Sequence, residues 1–401
     1  MNGQTAFPVP GVRLGIAAAG IKYAERDDLL LIELAEGGSC AGVFTRNAFC
    51  AAPVQLAKRH LQAGAPRYLL VNSGNANAGT GVQGMTDALR SCALVAQATG
   101  CEASQTLPFS TGVIGENLPM ACFEAAIPKA QADLDENGWQ RASRAIMTTD
   151  TRPKLISRQF QLDGETITVT GIAKGAGMIR PDMATMLAYL ATDLAVQPAL
   201  LQQCLEQAVH PSFNSISVDG DTSTNDACML LASGVSPHAG VTDADSPAFN
   251  SLCEVVSEVC MELARELVRD AEGATKLVEI LVSDAADEAE ARQVAYTIAH
   301  SPLVKTALFA SDPNWGRILA AVGRAGLQDL DIERIEIWLD DVCIVRDGER
   351  ASDYTEEAGQ RVMDQQEITI AVRLGRGAVE SRVLTCDLSY DYVKINAEYR
   401  T

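Results

Sequence analysis

The chain has 401 residues, of which 47% are hydrophobic, 21% charged and 5% aromatic, a composition typical of a globular protein with room for two domains. This composition excludes a disordered or collagen-like chain, which would need fewer apolar residues or far more glycine and proline. The 32 basic and 52 acidic side chains give a net charge of −20, which disfavours nucleic acids and anionic membranes as partners.

Strands and helices are both predicted along most of the chain. In chain order, β-branched apolar runs predict strands at 27–35, 67–74, 165–173, 185–193, 276–284, 334–341, 367–375 and 381–390. Helical periodicity predicts helices at 84–98, 121–132, 199–209, 248–271, 289–299, 315–325 and 355–365. Closely spaced strands near the C terminus indicate antiparallel sheet and an α+β layout.

The charge is divided unequally between the two halves of the chain. Residues 1–184 carry 16 basic and 16 acidic side chains, whereas residues 185–401 carry 16 basic and 36 acidic ones. The whole imbalance therefore lies in the second half, which indicates a two-part organisation that changes between residues 175 and 200.

Cysteine and histidine usage points to a reducing compartment. The eleven cysteines are an odd number without a C-x-x-C pair, which indicates buried free thiols. The four histidines are far apart in sequence, so no metal site is expected. The chain starts without the pattern of a signal peptide, and no apolar run is long enough to span a bilayer. A cytoplasmic location is therefore expected.

Residues 174–187, which read KGAGMIRPDMATML, carry the strongest chemical signal. Gly175 and Gly177 permit backbone conformations that other residues resist, and Pro181 disfavours helix for the residue before it. The pattern alone predicts a core strand that opens at Thr185 after a constrained loop. A second hypothesis is an N-terminal nucleophile. A cut before Thr185 would give its hydroxyl a neighbouring α-amino group, with an ordinary pKa of about 7.7–8.0, as general base.

The same segment closely resembles the self-cleavage segment of the ornithine acetyltransferase family, the bifunctional glutamate N-acetyltransferases of arginine biosynthesis. The resemblance extends over the whole chain and recurs in further motifs, in the family's order. These are CAGVFTRN (40–47), NSGNANAGTG (72–81), STGVIG (110–115), MTTDTRPK (147–154), SVDGDTSTND (217–226), AEGATK (271–276) and SDPNWGR (311–317). So many separate motifs in one order make coincidence a poor explanation.

The resemblance implies an α/β fold of the α+β type. It would have the layered α-β-β-α arrangement of N-terminal-nucleophile-like acetyltransferases and a second, smaller α/β region. The chain would be cut between Ala184 and Thr185 into an α chain, residues 1–184, and a β chain, residues 185–401. Thr185 would take the acetyl group of N2-acetylornithine and pass it to glutamate in a ping-pong reaction. An α2β2 heterotetramer without a resident cofactor is implied, with acetyl-CoA as a further donor in some members.

Further residues receive roles from the resemblance. Thr111 and Gly112 match the oxyanion pair, which stabilises the oxygen that becomes negative as the acetyl carbonyl turns tetrahedral. The implied substrate contacts, besides Thr185, are Thr148, Lys174, Glu272, Asn396 and Thr401. Lys174 offers a cation suited to an α-carboxylate. Glu272, predicted in the last turn of a long helix where the dipole disfavours anions, offers an anion suited to a substrate cation.

Other interpretations stay open from the residues alone. The oxyanion pair also fits a plain Ser-Thr-Gly turn, Lys174 a surface lysine, and Glu272 a solvated helix end. An amidohydrolase or aminopeptidase would use the same nucleophile with water as acceptor. An acidic binding protein would keep residues 174–187 as an uncut loop and strand. Residues 219–226 fail the EF-hand pattern and are interpreted as a hydrogen-bonded supporting turn, and residues 72–81 lack a nucleotide-binding motif.

Overall fold

The computed structural model describes residues 6–180 and 186–398. Ala184, Thr185 and Thr401, which carry predicted roles, lie outside the described residues. The chain divides into two compact units that alternate along the sequence. Unit 1 comprises Met1–Gly175, Pro181–Asn214 and Thr222–Leu267, and unit 2 comprises Ala176–Arg180, Ser215–Asp221 and Val268–Thr401.

Among its described residues, unit 1 holds two sheets and the helices that pack on them. Its strands are β1 (Val12–Ala17), β2 (Leu29–Leu34), β3 (Ser39–Phe44), β4 (Tyr68–Asn75), β5 (Thr106–Val113), β6 (Lys154–Leu162), β7 (Glu165–Lys174), β8 (Leu187–Thr192) and β9 (Ala227–Ala232). Its helices are α1 (Ala52–Ala63), α2 (Gly81–Thr99), α3 (Met120–Ala132), α4 (Trp139–Ala145), α5 (Pro198–Val209) and α6 (Pro247–Arg269), whose last two residues fall in the range of unit 2.

The two sheets of unit 1 share one apolar core. The first has the strand order β1-β2-β4-β5 and the second the order β3-β9-β8-β7-β6. The β4–β5 and β8–β9 pairs are parallel, and the other neighbours are antiparallel. Leu30 and Ile32 of β2 lie in the same buried cluster as Ala191 of β8. The rings of Phe109 and Tyr189 meet edge-on between the sheets, with centroids 5.4 Å apart.

Helices cover the outer faces of both sheets. Leu29 and Leu31, which alternate with the core-facing residues of β2, share a second buried cluster with residues of α3. On the other sheet, Gly171 of β7 lies so close to α6 that an added Cβ would stand 3.1 Å from the Leu263 side chain. The order helices, sheet, sheet, helices confirms the predicted α-β-β-α layering.

Unit 2 is a six-stranded sheet with helices packed against it. Its strands are β10 (Leu277–Ala285), β11 (Glu336–Leu339), β12 (Val342–Arg346), β13 (Glu349–Arg350), β14 (Glu367–Arg373) and β15 (Val379–Cys386), in the spatial order β13-β12-β11-β14-β10-β15. Its helices are α7 (Glu288–Ala299), α8 (Pro302–Phe309), α9 (Trp315–Gly323), α10 (Glu356–Met363) and α11 (Tyr390–Ala397). In this sheet, the β10–β14 pair is parallel, and the other described pairs of neighbouring strands are antiparallel. The predicted second, smaller α/β region is therefore confirmed.

Each predicted strand and helix corresponds to one in the structure. The structure also contains elements that were not predicted, namely β1, β3, β5, β6, β9, β12, the short β13, α1, α4, α8 and α11. Among the described residues, no helix is both long and apolar enough to cross a membrane.

The strands on the two sides of the proposed cut, β7 and β8, both belong to unit 1. Lys174, the last residue of β7, pairs with Leu187, the first residue of β8, in antiparallel register. Strands from both sides of the cut therefore belong to one sheet. The division into chains of residues 1–184 and 185–401 stays a prediction, and the compact units follow a different partition of the chain.

Candidate active site

Thr111 and Gly112 lie near the end of β5, beside the parallel end of β4. Gly112 pairs with Gly74 in the register and has a φ of 138°. A Cβ added at Gly112 would lie 2.2 Å from the carbonyl carbon of Gly74 and 2.5 Å from the amide nitrogen of Asn75. Only glycine fits this backbone and this approach of the two strand ends. The close approach of the two strand ends therefore requires glycine at position 112, the glycine of the implied oxyanion pair.

Lys174, at the end of β7, reaches the side chain of Thr111. Its residue is 9% exposed, and its Nζ donates a hydrogen bond to Oγ1 of Thr111 at 3.2 Å. The interpretation of Lys174 as a surface lysine is therefore wrong. An ammonium group is rarely buried without partners, because its desolvation costs free energy. Two residues that the resemblance named are in direct contact.

Asp150, which the sequence analysis did not single out, joins Thr148 to the end of β7. One of its carboxylate oxygens accepts from the amide of Gly175 at 2.7 Å and from Nζ of Lys154 at 2.5 Å. The other oxygen accepts from the amide of Thr148 at 2.9 Å. The side chains of Asp150 and Lys154 are fully buried. Both residues belong to the MTTDTRPK motif, so a signal for them was present in the sequence.

Burial and the neighbouring lysines shift the pKa values of two acids in this part of unit 1. Burial raises the pKa of Asp150, but Lys174 and Lys154 outweigh that effect and hold the pKa at about 2. Burial also raises the pKa of Asp226 well above its usual range, which favours the protonated acid despite the attraction of Lys174. The ammonium group of Lys174 is a charge suited to an α-carboxylate or a developing oxyanion.

Asn225 and Asp226 precede β9 at the same end of unit 1. The side-chain Nδ2 of Asn225 donates to the carbonyl oxygens of Ala76 at 2.6 Å and Ser110 at 2.9 Å. These bonds tie the start of β9 to the ends of β4 and β5. One carboxyl oxygen of Asp226, Oδ2, is buried without a hydrogen-bond partner among the described residues. Both residues were predicted only as part of a supporting turn, and the interaction of Asp226 with Lys174 was not predicted.

Glu272 and Asn396 belong to unit 2 and are hydrogen-bonded to each other. Nδ2 of Asn396 donates to Oε2 of Glu272 at 2.8 Å. Helix α6 ends at Arg269, so Glu272 lies just beyond the helix, and the prediction that it lies in the last turn is wrong. Glu272 is 8% exposed, and its carboxylate lies against Gly177, where an added Cβ would stand 2.4 Å from Oε2. The second glycine of the 174–187 segment thus makes room for an implied substrate contact.

Residues 176–180 of unit 2 lead toward the proposed cut and are held by Asp219. The amides of Met178 and Ile179 donate to the two oxygens of Asp219 at 2.7 and 2.9 Å. Met178 has a φ of 55°, which is uncommon for a residue with a Cβ. The hydroxyl of Tyr392, on α11, donates to the same carboxylate at 3.3 Å. Asp219 therefore connects this segment to the helix that carries Asn396.

The structure gathers the predicted site residues into two groups. Unit 1 holds Thr111, Gly112, Thr148 and Lys174, and unit 2 holds Glu272 and Asn396. The implied contacts Thr185 and Thr401 and the cleavage residue Ala184 lie outside the described residues, and all these roles stay predictions. Within residues 6–180 and 186–398, no group of three or more His, Cys, Asp or Glu side chains could hold a metal ion.

Two curated relatives match this chain over nearly its full length, and a solved structure matches about half of it. The sequence matches the ArgJ family over residues 13–401. It is 61% identical over 394 residues to the arginine biosynthesis bifunctional protein ArgJ of Methylococcus capsulatus, with 98% of this chain and 96% of that protein covered. The protein of the same name from Pseudomonas fluorescens is 57% identical over 397 residues, with 99% and 98% covered. The crystal structure of the Bacillus halodurans protein aligns with a TM-score of 0.50 and 37% identity, over 53% of this chain and 99% of the solved chain.

Proposed function

Because the chain belongs to the ArgJ family, we propose that it transfers the acetyl group of N2-acetylornithine to glutamate, giving ornithine and N-acetylglutamate. The relatives are named bifunctional proteins of arginine biosynthesis, and the sequence motifs imply this reaction. The observation that carries the proposal is the hydrogen bond from buried Lys174 to Thr111, next to Gly112. It brings an implied substrate contact to the implied oxyanion pair.

The proposed cycle begins with self-cleavage between Ala184 and Thr185. The Thr185 hydroxyl attacks the Ala184 carbonyl carbon, and the peptide bond breaks as its nitrogen takes up a proton. Water then hydrolyses the ester, which frees the Thr185 hydroxyl and leaves a carboxylate on Ala184. The new α-amino group becomes the base for the hydroxyl. The pairing of Lys174 with Leu187 supports this step, because a sheet keeps the flanking strands in place after the cut.

Transfer follows in two half-reactions. The Thr185 hydroxyl attacks the acetyl carbonyl of N2-acetylornithine, and ornithine leaves as the acetyl ester forms. The amine of glutamate then attacks that ester and takes the acetyl group, which restores the hydroxyl. Because Oγ1 of Thr111 accepts a hydrogen bond from Lys174, its own proton is available to the oxyanion of each tetrahedral intermediate. The ammonium group of Lys174 would lower the free-energy cost of that oxyanion.

The solved relative gives independent support for a cut. The alignment uses 99% of the Bacillus halodurans chain but only 53% of this one, so the solved chain has about half this length. Residues 185–401 would form a β chain of 217 of the 401 residues, about 54%. A chain of that size is expected from a relative cut at the matching position.

Thr185→Ala tests the nucleophile. We expect the unaltered chain to give two bands in denaturing electrophoresis, and the variant to remain one chain without transfer activity. In the unaltered enzyme, brief exposure to N2-acetylornithine without glutamate should leave an acetyl group on the peptide that begins with Thr185. Normal cleavage of the variant would rule out Thr185 as the attacking group. Intact turnover without a trapped acetyl peptide in a rapid acid quench would rule out the ping-pong route.

Acceptor preference separates the transferase from a hydrolase with the same nucleophile. We expect N2-acetylornithine to be consumed rapidly only with glutamate present, whereas a hydrolase would consume it in buffer alone. Acetyl-CoA with glutamate, in the same assay, decides whether this chain also uses that donor. Native mass spectrometry tests the proposed α2β2 heterotetramer, which would contain two copies of each fragment.

A further inference from the structure

Residues 217–219 of unit 2 form hydrogen bonds with the backbone of residues 178 and 179, which precede the proposed cut in the sequence. The carboxylate of Asp219 accepts from two successive amides, those of Met178 at 2.7 Å and Ile179 at 2.9 Å. The carbonyl oxygen of Ile179 accepts from the amide of Val218 at 2.7 Å and from the hydroxyl of Ser217 at 3.2 Å. Four hydrogen bonds therefore fix two residues of an otherwise irregular segment.

Residues 217–219 are themselves bonded to other parts of unit 2. The amide of Ser217 donates to the carbonyl oxygen of Leu384 in β15 at 2.8 Å, beside an isolated bridge between Ile216 and Leu384. The buried hydroxyl of Ser217 also lies 2.8 Å from Nε2 of His300. Since a hydroxyl has one proton and Ser217 donates it to Ile179, the imidazole donates to Ser217. Residues 217–219 are thus attached to the edge strand β15 and do not form a free loop.

The hydrogen bonds from Asp219 hold Met178 in a backbone conformation that residues with a Cβ disfavour. Met178 has a φ of 55° and is 42% exposed, so burial of its side chain is not what stabilises this conformation. A carboxylate that accepts from successive amides is a common way of stabilising such a left-handed turn. Without Asp219, the amide of Met178 would lose this hydrogen bond, and its backbone would be free to relax toward ordinary φ values.

We propose that Asp219 is a positioning residue for self-cleavage, an inference that rests on the cleavage step of the proposed function. Ile179 stands six residues before Thr185 in the sequence, and Leu187, which begins β8, stands two residues after it. Asp219 thus holds the backbone a few residues ahead of the bond to be cut. Attack of a hydroxyl on the preceding carbonyl requires a near-attack geometry, and restricting the backbone ahead of the bond reduces the entropy lost in reaching it.

Asp219→Asn tests the proposal, with Asp221→Asn as matched control. Asparagine keeps the size of Asp219 but replaces one accepting oxygen by an NH2 group that faces an amide donor. Asp221 is exposed, carries the same charge and donates its backbone amide to Asp219 at 3.1 Å, a bond that Asp221→Asn would keep. Full-length chains would be made by cell-free synthesis, and cleavage would be followed by intact mass. The amides of residues 178 and 179 would be monitored by hydrogen exchange.

We expect Asp219→Asn to slow cleavage at least about tenfold and to release both amides to exchange, with Asp221→Asn at the unaltered rate. Asp219→Glu should restore part of the rate, because it returns both accepting oxygens. If Asp219→Asn lowers the melting temperature more than the control does, Ser217→Ala provides the second test. That change removes a different bond to Ile179 and should slow cleavage by a smaller factor.

The outcomes separate this inference from the proposed function. Cleavage of Asp219→Asn at the unaltered rate, with its two amides exchanging freely, would overturn the positioning role and leave self-cleavage standing. Unaltered cleavage in Ser217→Ala, where Asp219→Asn proves unstable, would do the same. Absence of cleavage in the unaltered chain would overturn both self-cleavage and the inference.

Discussion

Asp150 and Lys154 have side chains with no exposed surface, and the ammonium groups of Lys174 and Lys154 both stabilise the charged form of Asp150. Removal of one partner from such a pair typically costs about 3–5 kcal/mol, because the other charge stays buried and unpaired. Here the carboxylate has a second task, since it also accepts from the amides of Thr148 and Gly175. The ion pair therefore links stability to the placement of two segments that carry implied substrate contacts.

Gly112→Ala should abolish transfer, whereas Gly115→Ala should preserve it. The Cβ at position 112 would lie 2.2 Å from the carbonyl carbon of Gly74, so the ends of β4 and β5 must separate. We expect a loss of at least about 100-fold in kcat/KM, the cost of a misplaced oxyanion donor. Gly115 also has a positive φ, of 88°, but no atom within 4 Å of an added Cβ, so only strain of about 1 kcal/mol is expected there.

Steady-state kinetics and thermal unfolding of both glycine variants check this expectation. Gly115→Ala controls for backbone strain, because both positions have φ values that disfavour a side chain. If Gly112→Ala kept the kcat/KM of the unaltered enzyme, the close approach of the two strand ends would have no part in catalysis.

At the level of single residues, the sequence predicted chemical types better than contacts. Lys174 and Thr111 are separated by 63 positions, so no local spacing could indicate that their side chains meet. The resemblance gave roles to both residues. The structure shows why they meet, because Thr111 lies near the end of β5 in one sheet and Lys174 ends β7 in the other. Asp219 was visible only as an acid in a polar turn, because its partners are backbone amides 40 and 41 residues away, which leave no side-chain signature.

Elements whose character depends on distant neighbours were the ones that the sequence analysis missed. Strand β9, ACMLLA, is buried at every residue, so it shows no alternation that would separate it from a helical segment. Strand β5, TLPFSTGV, contains a proline and a glycine, which favour a turn locally. Helix α8 had a recognisable start, since Ser301 caps it and Pro302 follows. That omission was avoidable, whereas β5 and β9 become strands through pairing.

Ser389→Ala should weaken substrate binding through helix α11. The hydroxyl of Ser389 accepts from the amide of Tyr392 and donates to the carbonyl oxygen of Gly273 at 2.6 Å. Loss of such a cap costs about 1 kcal/mol. Because α11 carries Asn396, which bonds to Glu272, we expect a KM for N2-acetylornithine several-fold higher and an unchanged kcat.

Ser301→Ala is the matched control for the capping test. Ser301 caps α8 by accepting from the amide of Val304, and no residue of α8 has a predicted role in substrate binding. Initial-rate measurements at varied N2-acetylornithine would give both constants. Equal KM values for the two alanine variants would show that the position of α11 does not influence binding.

At the scale of the whole molecule, the sequence predicted the family and the layers but not the compact units. The resemblance and the prediction of an enzyme are confirmed by the family match and by relatives of 57–61% identity. The step in charge near residue 185 suggested two halves, yet unit 1 contains residues from both sides of that position. Charge patterning reports on the surface, whereas the units are determined by strand pairing, which joins segments far apart in sequence.

This interleaving predicts that the two fragments stay together after cleavage. In the second sheet of unit 1, β8 and β9 come from the later fragment and β3, β6 and β7 from the earlier one. Two strand pairs, β7–β8 and β3–β9, therefore cross between fragments. Separation would expose β8 and β9, which are buried at all six residues each, at a cost well above about 10 kcal/mol. We expect one elution volume in neutral buffer and a single unfolding transition in urea.

The uncut Thr185→Ala chain is the reference for this experiment, because it has the same strands without the break. Cut and uncut proteins should elute together on size exclusion and give the same native mass per assembly, apart from the substitution and the water added at each cut. Denaturant should be needed to separate the fragments of the cut protein. Fragments that elute separately in native buffer would contradict the pairing of β7 with β8, since that register holds the residues on both sides of the break in one sheet.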